Sequence, residues 1–205
     1  MADITRRGFL ATGGLLVGLL ATGEAAAALA DDQAFLRPPG AVEESKFSAL
    51  CIRCQKCLSV CPSRIIQPVS IAESIARTGT PTIDFSRSYC DFCANTADGR
   101  PRCAAVCPTD TLTASDDKPV INGVAVVVKE ACIAWDWKGC TVCVEACPQE
   151  AITLDDQQRP VVDDETCDGC GLCQLICPAS SLRSYSHSEA DGVGIIVIPG
   201  DRSAR

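Results

Sequence analysis

The sequence predicts an α+β protein made of two small modules, and three observations lead there. A group of four cysteines recurs four times along the chain, each copy closed by CysxxxCysPro. Strand-sized, β-rich runs separate the copies. Aromatic residues are only 4% of the 205 residues while cysteine supplies 16 positions, so something other than Phe, Trp and Tyr must fill the interior. The length suits one ordinary domain or two small ones once about 30 N-terminal residues are set aside.

In chain order, the first segment reads Thr5-Arg6-Arg7-Gly8-Phe9-Leu10, then an apolar, Gly-rich run from Ala11 to Gly23, then Ala28-Leu29-Ala30. This is the pattern of a twin-arginine export signal over residues 1–30 with an A-x-A cleavage site. The apolar run is shorter than the roughly 20 residues a membrane-spanning helix needs, and glycine interrupts it. An uncleaved anchor stays open. The twin-arginine route carries proteins already folded, often with cofactors inserted. Residues 31–45 are expected to be a linker, 46–187 the cysteine-rich region, and 188–205 a C-terminal strand and tail.

The first group, CIRCQKCLSVCP, contains Cys51, Cys54, Cys57 and Cys61. Ser70 to Arg77 follows, with Ile71 and Ile75 at helical spacing and Gly79 beyond, which predicts a short helix. Thr82-Ile-Asp-Phe85 predicts a strand. The second group is Cys90, Cys93, Cys103 and Cys107, with nine residues between its second and third members. Lys118 to Val128 holds two β-rich runs around Asn122-Gly123, a hairpin signal. The third group is Cys132, Cys140, Cys143 and Cys147, with seven residues between its first and second members. Pro160-Val-Val162 predicts a strand, CDGCGLCQLICP supplies Cys167, Cys170, Cys173 and Cys177, and Ile195-Ile-Val-Ile198 predicts a last strand.

The first and fourth groups match the bacterial ferredoxin run CxxCxxCxxxCP without a gap, and the other two keep one CxxC and the terminal CxxxCP. Two residues between thiolates let a turning backbone aim consecutive sulfurs at neighbouring irons of a cubane, and its amides can hydrogen-bond cluster sulfur. CxxxC spans one helical turn, and the last cysteine of a run ligates the other cluster in two-cluster ferredoxins. Pro62, Pro108, Pro148 and Pro178 each fix φ and remove a donor, ending that turn. The expectation is therefore two ferredoxin-like modules binding four [4Fe–4S] clusters, with all sixteen cysteines as iron ligands. Zinc is the rival metal, but zinc sites seldom use this run and the one histidine, His187, lies outside every group. Eight disulfides are the other alternative; cysteines two residues apart cross-link poorly.

A net charge of −8 with pI near 4.6 disfavours nucleic-acid binding. It points instead to partners with positive or neutral docking patches. Catalytic equipment is missing: there is no Gly-rich dinucleotide fingerprint, no phosphate loop, no CxxCH haem site and no histidine placed as a general base. The expectation is an electron carrier and not an enzyme. Trp135, Trp137, Tyr89 and Phe92 are read as packing over clusters and excluding water. His187 and the acidic runs Asp116-Asp117, Asp155-Asp156 and Asp163-Asp164-Glu165 are read as solvated surface, the acids also able to steer a basic partner.

These features together resemble the ferredoxin-type NapG/MauM family of periplasmic nitrate reductase and methylamine-utilisation systems. The likeness rests on the twin-arginine start, Leu36-Arg37-Pro38-Pro39-Gly40-Ala41, the first CxxCxxCxxxCP and the widened second and third groups. Gly79-Thr-Pro-Thr-Ile-Asp-Phe85, Ala131-Cys-Ile-Ala-Trp135 and Cys167-Asp-Gly-Cys-Gly171 are more similar to the NapF branch. The resemblance implies a periplasmic relay, membrane-associated through a partner, that takes electrons from a NapH-like membrane quinol dehydrogenase. It would pass them to a periplasmic reductase or its cytochrome. A NapF-like maturation factor for a molybdenum enzyme and an iron–sulfur scaffold subunit are the alternatives. The chain also resembles four-cluster subunits of molybdenum reductases, which implies a nested pairing of the first group with the fourth and the second with the third. One cluster would then use Cys51, Cys54, Cys57 and Cys177, and its neighbour Cys167, Cys170, Cys173 and Cys61. The inner pair would use Cys90, Cys93, Cys103 and Cys147, then Cys132, Cys140, Cys143 and Cys107. Sequential pairing, first with second and third with fourth, stays open.

Overall fold

The computed structural model describes residues 33–94, 100–113, 120–136, 139–179 and 192–200. The expected export signal, Asp116-Asp117, Trp137 and His187 lie outside the described residues. Six short helices and six short strands follow one another. They are α1 (Glu44–Leu50), α2 (Lys56–Val60), β1 (Ile66–Pro68), β2 (Pro81–Ile83), α3 (Arg102–Ala105) and β3 (Gly123–Val127). Then come α4 (Ile133–Asp136), α5 (Val142–Glu145), β4 (Ile152–Leu154), β5 (Pro160–Val162), α6 (Leu172–Leu175) and β6 (Ile195–Pro199). The strands form three two-stranded antiparallel sheets, β1 with β2, β3 with β6 and β4 with β5.

One local design recurs at every cysteine group. The third cysteine sits in a single helical turn: Cys57 in α2, Cys103 in α3, Cys143 in α5 and Cys173 in α6. Each turn stops at or just before the fourth cysteine, where proline follows and no further amide is available to extend it. The residue three places past that cysteine is left-handed in three of the groups: Arg64, Asp110 and Glu150, each at φ 53. The amides of Arg64 and Glu150 bond back to the carbonyls of Cys61 and Cys147 at 3.3 and 3.1 Å. The chain thus reverses and feeds an apolar residue inward at once: Ile65, Leu112 and Ala151 are all buried.

Two expectations need correction. Asn122-Gly123 is no hairpin turn, because β3 starts at Gly123 and pairs with β6, Gly123 opposite Pro199 and Val127 opposite Ile195. The Asn122 side chain is committed elsewhere: its amide donates to the Phe35 carbonyl at 2.9 Å and its oxygen accepts from the Arg37 amide at 2.6 Å. Ser70 to Arg77 forms consecutive turns instead of a helix. Ser70 and Glu73 do make the reciprocal capping bonds, at 2.7 and 3.3 Å, but Ile71 and Ile75 face solvent. A segment this short without a packed apolar face does not hold a helix.

Residues 33–45, expected to be a linker, are part of the core. Phe35, Arg37, Pro38 and Pro39 are buried. Arg37 is 1% exposed and ion-pairs with Glu44, its Nε and Nη2 donating at 2.8 and 2.5 Å. Its Nη1 donates to Thr80 Oγ1 and the Pro81 carbonyl at 3.0 and 2.7 Å. The guanidinium lies 4.5 Å from the Phe47 ring centroid. A planar five-donor cation suits that fork of acceptors as lysine would not.

The arm also ties residues 33–113 to residues 120–200. Besides the Asn122 bonds, the amide of Cys90 donates to the Cys170 carbonyl at 2.8 Å. Phe85 packs onto Gly171 so closely that a Cβ there would stand 2.3 Å from its ring. The core between them is built from Phe47, Phe85, Ile121, Ile152, Ile195 and cysteines, which is how a chain poor in aromatics fills its interior.

Candidate metal centre

All sixteen cysteines are free thiols, none joined in a disulfide. Left-handed backbone lies between ligand positions where the sequence placed turns: Arg53 and Gln55, Phe92, and Gly169 and Gly171. Each such residue swings the next thiol back toward its predecessors. The three non-glycines carry a strain of order 1 kcal/mol apiece that the surrounding packing must hold.

The thiols gather around cavities, and their grouping does not follow the nested scheme. Cys61 lines one cavity with Cys90, Cys93 and Cys103, walled by Pro62, Ile65, Ile83 and Phe92. Cys177 lines another with Cys132, Cys140 and Cys143, walled by Ile133, Pro160 and Ile195. Cys147 stands close enough to Cys170 to raise its pKa, and Cys167 and Cys170 do the same for Cys173. Cys51 and Cys54 act likewise on Cys57. In each module, then, the fourth cysteine of one group crosses to its sequence neighbour: first with second, third with fourth. The reason is that α2 packs on α3 and α5 on α6. Each module is one contiguous stretch of chain, and closing the shorter loops costs less entropy. Cys107 is left for the set of Cys51, Cys54 and Cys57.

Neighbouring sets touch in a definite order. Cys57 lies near Cys103 and Cys143 near Cys173, each contact within one module. The Cys90–Cys170 backbone bond of 2.8 Å joins the modules. The four sets therefore run first, second, fourth, third.

Burial is the main influence on these thiols. It pushes Cys57 and Cys143 up to about 11 and Cys103 and Cys170 up to about 12, with neighbouring thiols adding to the rise. Cys90 and Cys173 are raised further for the same reason. Burial would also raise Cys107, but backbone amides of Thr109, Leu112 and Thr111 and the Thr109 hydroxyl outweigh it and hold this thiol below its ordinary value. The Gly194 amide likewise donates to Cys177 Sγ at 3.3 Å. Amides aimed at sulfur stabilise a thiolate bonded to metal.

The thiols ring each cavity without converging on one point. Among the described residues no three His, Cys, Asp or Glu side chains are placed to hold a single metal ion. A structural zinc needs four donors about 2.0–2.3 Å from one centre, whereas a cubane takes each thiolate on a different iron corner. The donor set suits [4Fe–4S].

Trp135 has a half-buried ring with Lys129 Nζ and Arg159 Cζ 4.6 and 4.4 Å from its centroid. Its backbone amide, with that of Ala134, faces the Cys132 thiol. Phe92 does wall the second cavity, as expected. Sequence reasoning missed Asp168, a buried carboxylate whose Oδ1 accepts from the Cys170 amide at 3.0 Å while Oδ2 has no partner. Its position inside a CxxC was the available signal.

Alternating one-turn helices and short sheets around thiol-lined cavities define an iron–sulfur electron-transfer protein of the ferredoxin type. A family model described as a 4Fe–4S dicluster domain matches residues 50–111 and 137–181. The methylamine utilization ferredoxin-type protein MauM of Methylophilus methylotrophus is 38% identical over 172 residues, covering 78% of this chain and 74% of the relative. The ferredoxin-type protein NapG of Escherichia coli K12 is 33% identical over 159 residues, 69% of this chain and 65% of the relative. Escherichia coli NapF is 28% identical over 158 residues, 75% of this chain and 87% of the relative. The chain belongs to the NapG/MauM ferredoxin-type family.

Proposed function

We propose that the chain carries four [4Fe–4S] clusters and relays single electrons from a NapH-like membrane quinol dehydrogenase to a periplasmic reductase or its cytochrome. The first cluster takes Cys51, Cys54, Cys57 and Cys107, and the second Cys90, Cys93, Cys103 and Cys61. The third takes Cys132, Cys140, Cys143 and Cys177, and the fourth Cys167, Cys170, Cys173 and Cys147. The observation that carries this reading is the crossed grouping of thiols within each module, which makes every cluster share its ligand loops with a neighbour. The clusters supply one-electron chemistry; the protein supplies thiolates, amide donors to sulfur and exclusion of water. Electrons follow the order first, second, fourth, third, with the Cys90–Cys170 hydrogen bond as the bridge between modules.

Location outside the cytoplasmic membrane, reached by the twin-arginine route, rests on Arg6-Arg7 and the A-x-A site. Among the described residues no helix is long and apolar enough to cross a membrane.

Anaerobic purification with iron and acid-labile sulfide analysis tests the cluster content, with roughly sixteen of each per chain expected for four cubanes. A colourless or zinc-loaded product would end the proposal. The match to NapF favours one second reading, a cytoplasmic maturation factor for a molybdenum enzyme. Fractionation separates the two, since a pool confined to the cytoplasm excludes the relay.

A further inference from the structure

The first thiol set has different surroundings from the other three. Cys54 is the one exposed cysteine of the sixteen, and the surface around it is apolar. Ile52, Ile71 and Ile75 are 63%, 70% and 69% exposed, the three highest values among the large apolar side chains of the described residues. They sit on two segments that are fastened together. Arg53 Nη2 donates to the Ala76 carbonyl at 2.9 Å, and its Cδ lies 3.6 Å from where a Gly79 Cβ would stand. The Ser70–Glu73 bonds hold the second segment in the shape that turns Ile71 and Ile75 outward. Isolated exposed apolar residues are unremarkable, but a group of them over an exposed redox ligand marks an interaction site.

Charge says what kind. Residues 33–113 contain nine Lys or Arg against seven Asp or Glu, a net +2, whereas residues 114–205 contain seven against fifteen, a net −8. The two segments around Cys54 (51–56 and 70–79) carry Arg53 and Lys56, Arg77 whose charge is met by Glu44, and one carboxylate of their own, Glu73. The excess negative charge of the chain therefore lies on the other module. A basic rim around an apolar centre complements an acidic surface and repels a basic one.

We propose that the face formed by Ile52, Ile71 and Ile75 around Cys54, rimmed by Arg53 and Lys56, docks an acidic redox protein that exchanges electrons with the first cluster. The proposal rests on the carrier reading above and adds which end of the cluster row meets such a partner. Small, transient interfaces are normal for electron-transfer encounters, so a patch of this kind is sufficient.

The test is anaerobic stopped-flow reduction of the full-length holoprotein by an acidic flavodoxin hydroquinone. Ile75→Asp and Lys56→Glu are compared with Val161→Asp, an exposed apolar position on the other module. Both patch variants should be reduced about tenfold more slowly at low salt, the Lys56→Glu deficit shrinking as ionic strength rises. Val161→Asp should react at the wild-type rate, and all variants should keep wild-type iron content and redox-titration end points. Patch variants that react as fast as wild type overturn the proposal. So does a wild-type dimer that Ile75→Asp converts to monomer in sedimentation, because the face then belongs to a second copy. Wild-type clusters that take up no electrons in the titration itself would instead remove the carrier reading.

Discussion

Asp168 shows how one side chain between two ligands can set the character of a cluster. Its carboxylate is 3% exposed, and both its charge and its hydrogen bond raise the pKa of Cys170, after burial and against the opposing Leu172 amide. The same negative charge opposes adding an electron to the cluster that Cys170 would hold. Asp168→Asn should therefore raise that cluster's midpoint potential, on the order of 100–200 mV for a charge about 4–8 Å away at an effective dielectric near 20; protein-film voltammetry reads the change, and an unaltered potential would show the charge to be screened. Arg37 is the structural counterpart. Arg37→Ala leaves Glu44 beside the buried site without its bidentate partner and opens a hole against Phe47. Glu44 is half-buried and keeps its ion pair with Arg77, so the cost is chiefly the lost packing and the unpaired Thr80 and Pro81 acceptors, about 2–4 kcal/mol; the melting temperature of the holoprotein should fall below wild type while its visible spectrum stays the same.

At the level of elements, the one-turn helices that carry the third cysteines decide which groups share clusters, and the sequence shows this only in part. The CxxxCP repeats made the four thiol groups legible, and the β-rich runs at Thr82–Phe85, Pro160–Val162 and Ile195–Ile198 overlap β2, β5 and β6. What the sequence could not show is long-range. The partner of β3 is β6, some seventy residues on, and a local Asn-Gly signal competes with that pairing on paper but not in the fold. Residues 33–45 carry no cysteine and are broken by Pro38-Pro39-Gly40; their burial depends on Thr80, Asn122 and Phe47, which no local pattern connects. The nested ligation implied by resemblance and the sequential ligation left open could not be separated for the same reason. They now differ in a measurable way. Cys61→Ser and Cys90→Ser should damage one and the same cluster, so the double variant should lose roughly four iron atoms per chain, as each single variant does. Nested ligation would make the losses add, with two separate EPR signals disappearing.

At the scale of the whole molecule, the thiols are as much core as ligand, and the apo chain must keep them uncharged. In the folded apo protein Cys57, Cys103, Cys143 and Cys170 sit at about 11 to 12 because burial opposes their ionisation, against an ordinary value of 9.0. A thiol whose pKa is higher folded than unfolded contributes its full share of stability below pH 9. That share is lost as the pH climbs through 11 and 12, because the unfolded chain releases its protons first. Iron binding has the opposite requirement, since each thiol must give up its proton to become a ligand. Anaerobic reconstitution of the apo protein with equal ferrous and ferric iron and sulfide should therefore release protons and go faster as the pH is raised from 7 toward 9. Above that range the yield should fall, as the apo fold loses its hold on the sites. Visible charge-transfer absorption followed at fixed iron and sulfide gives the rate, and a pH indicator in weak buffer gives the proton release. A rate that stays flat from pH 7 to 9, with no more acid released than the hydrosulfide itself supplies, would mean that the thiols are already ionised before metal arrives, and that burial does not govern them.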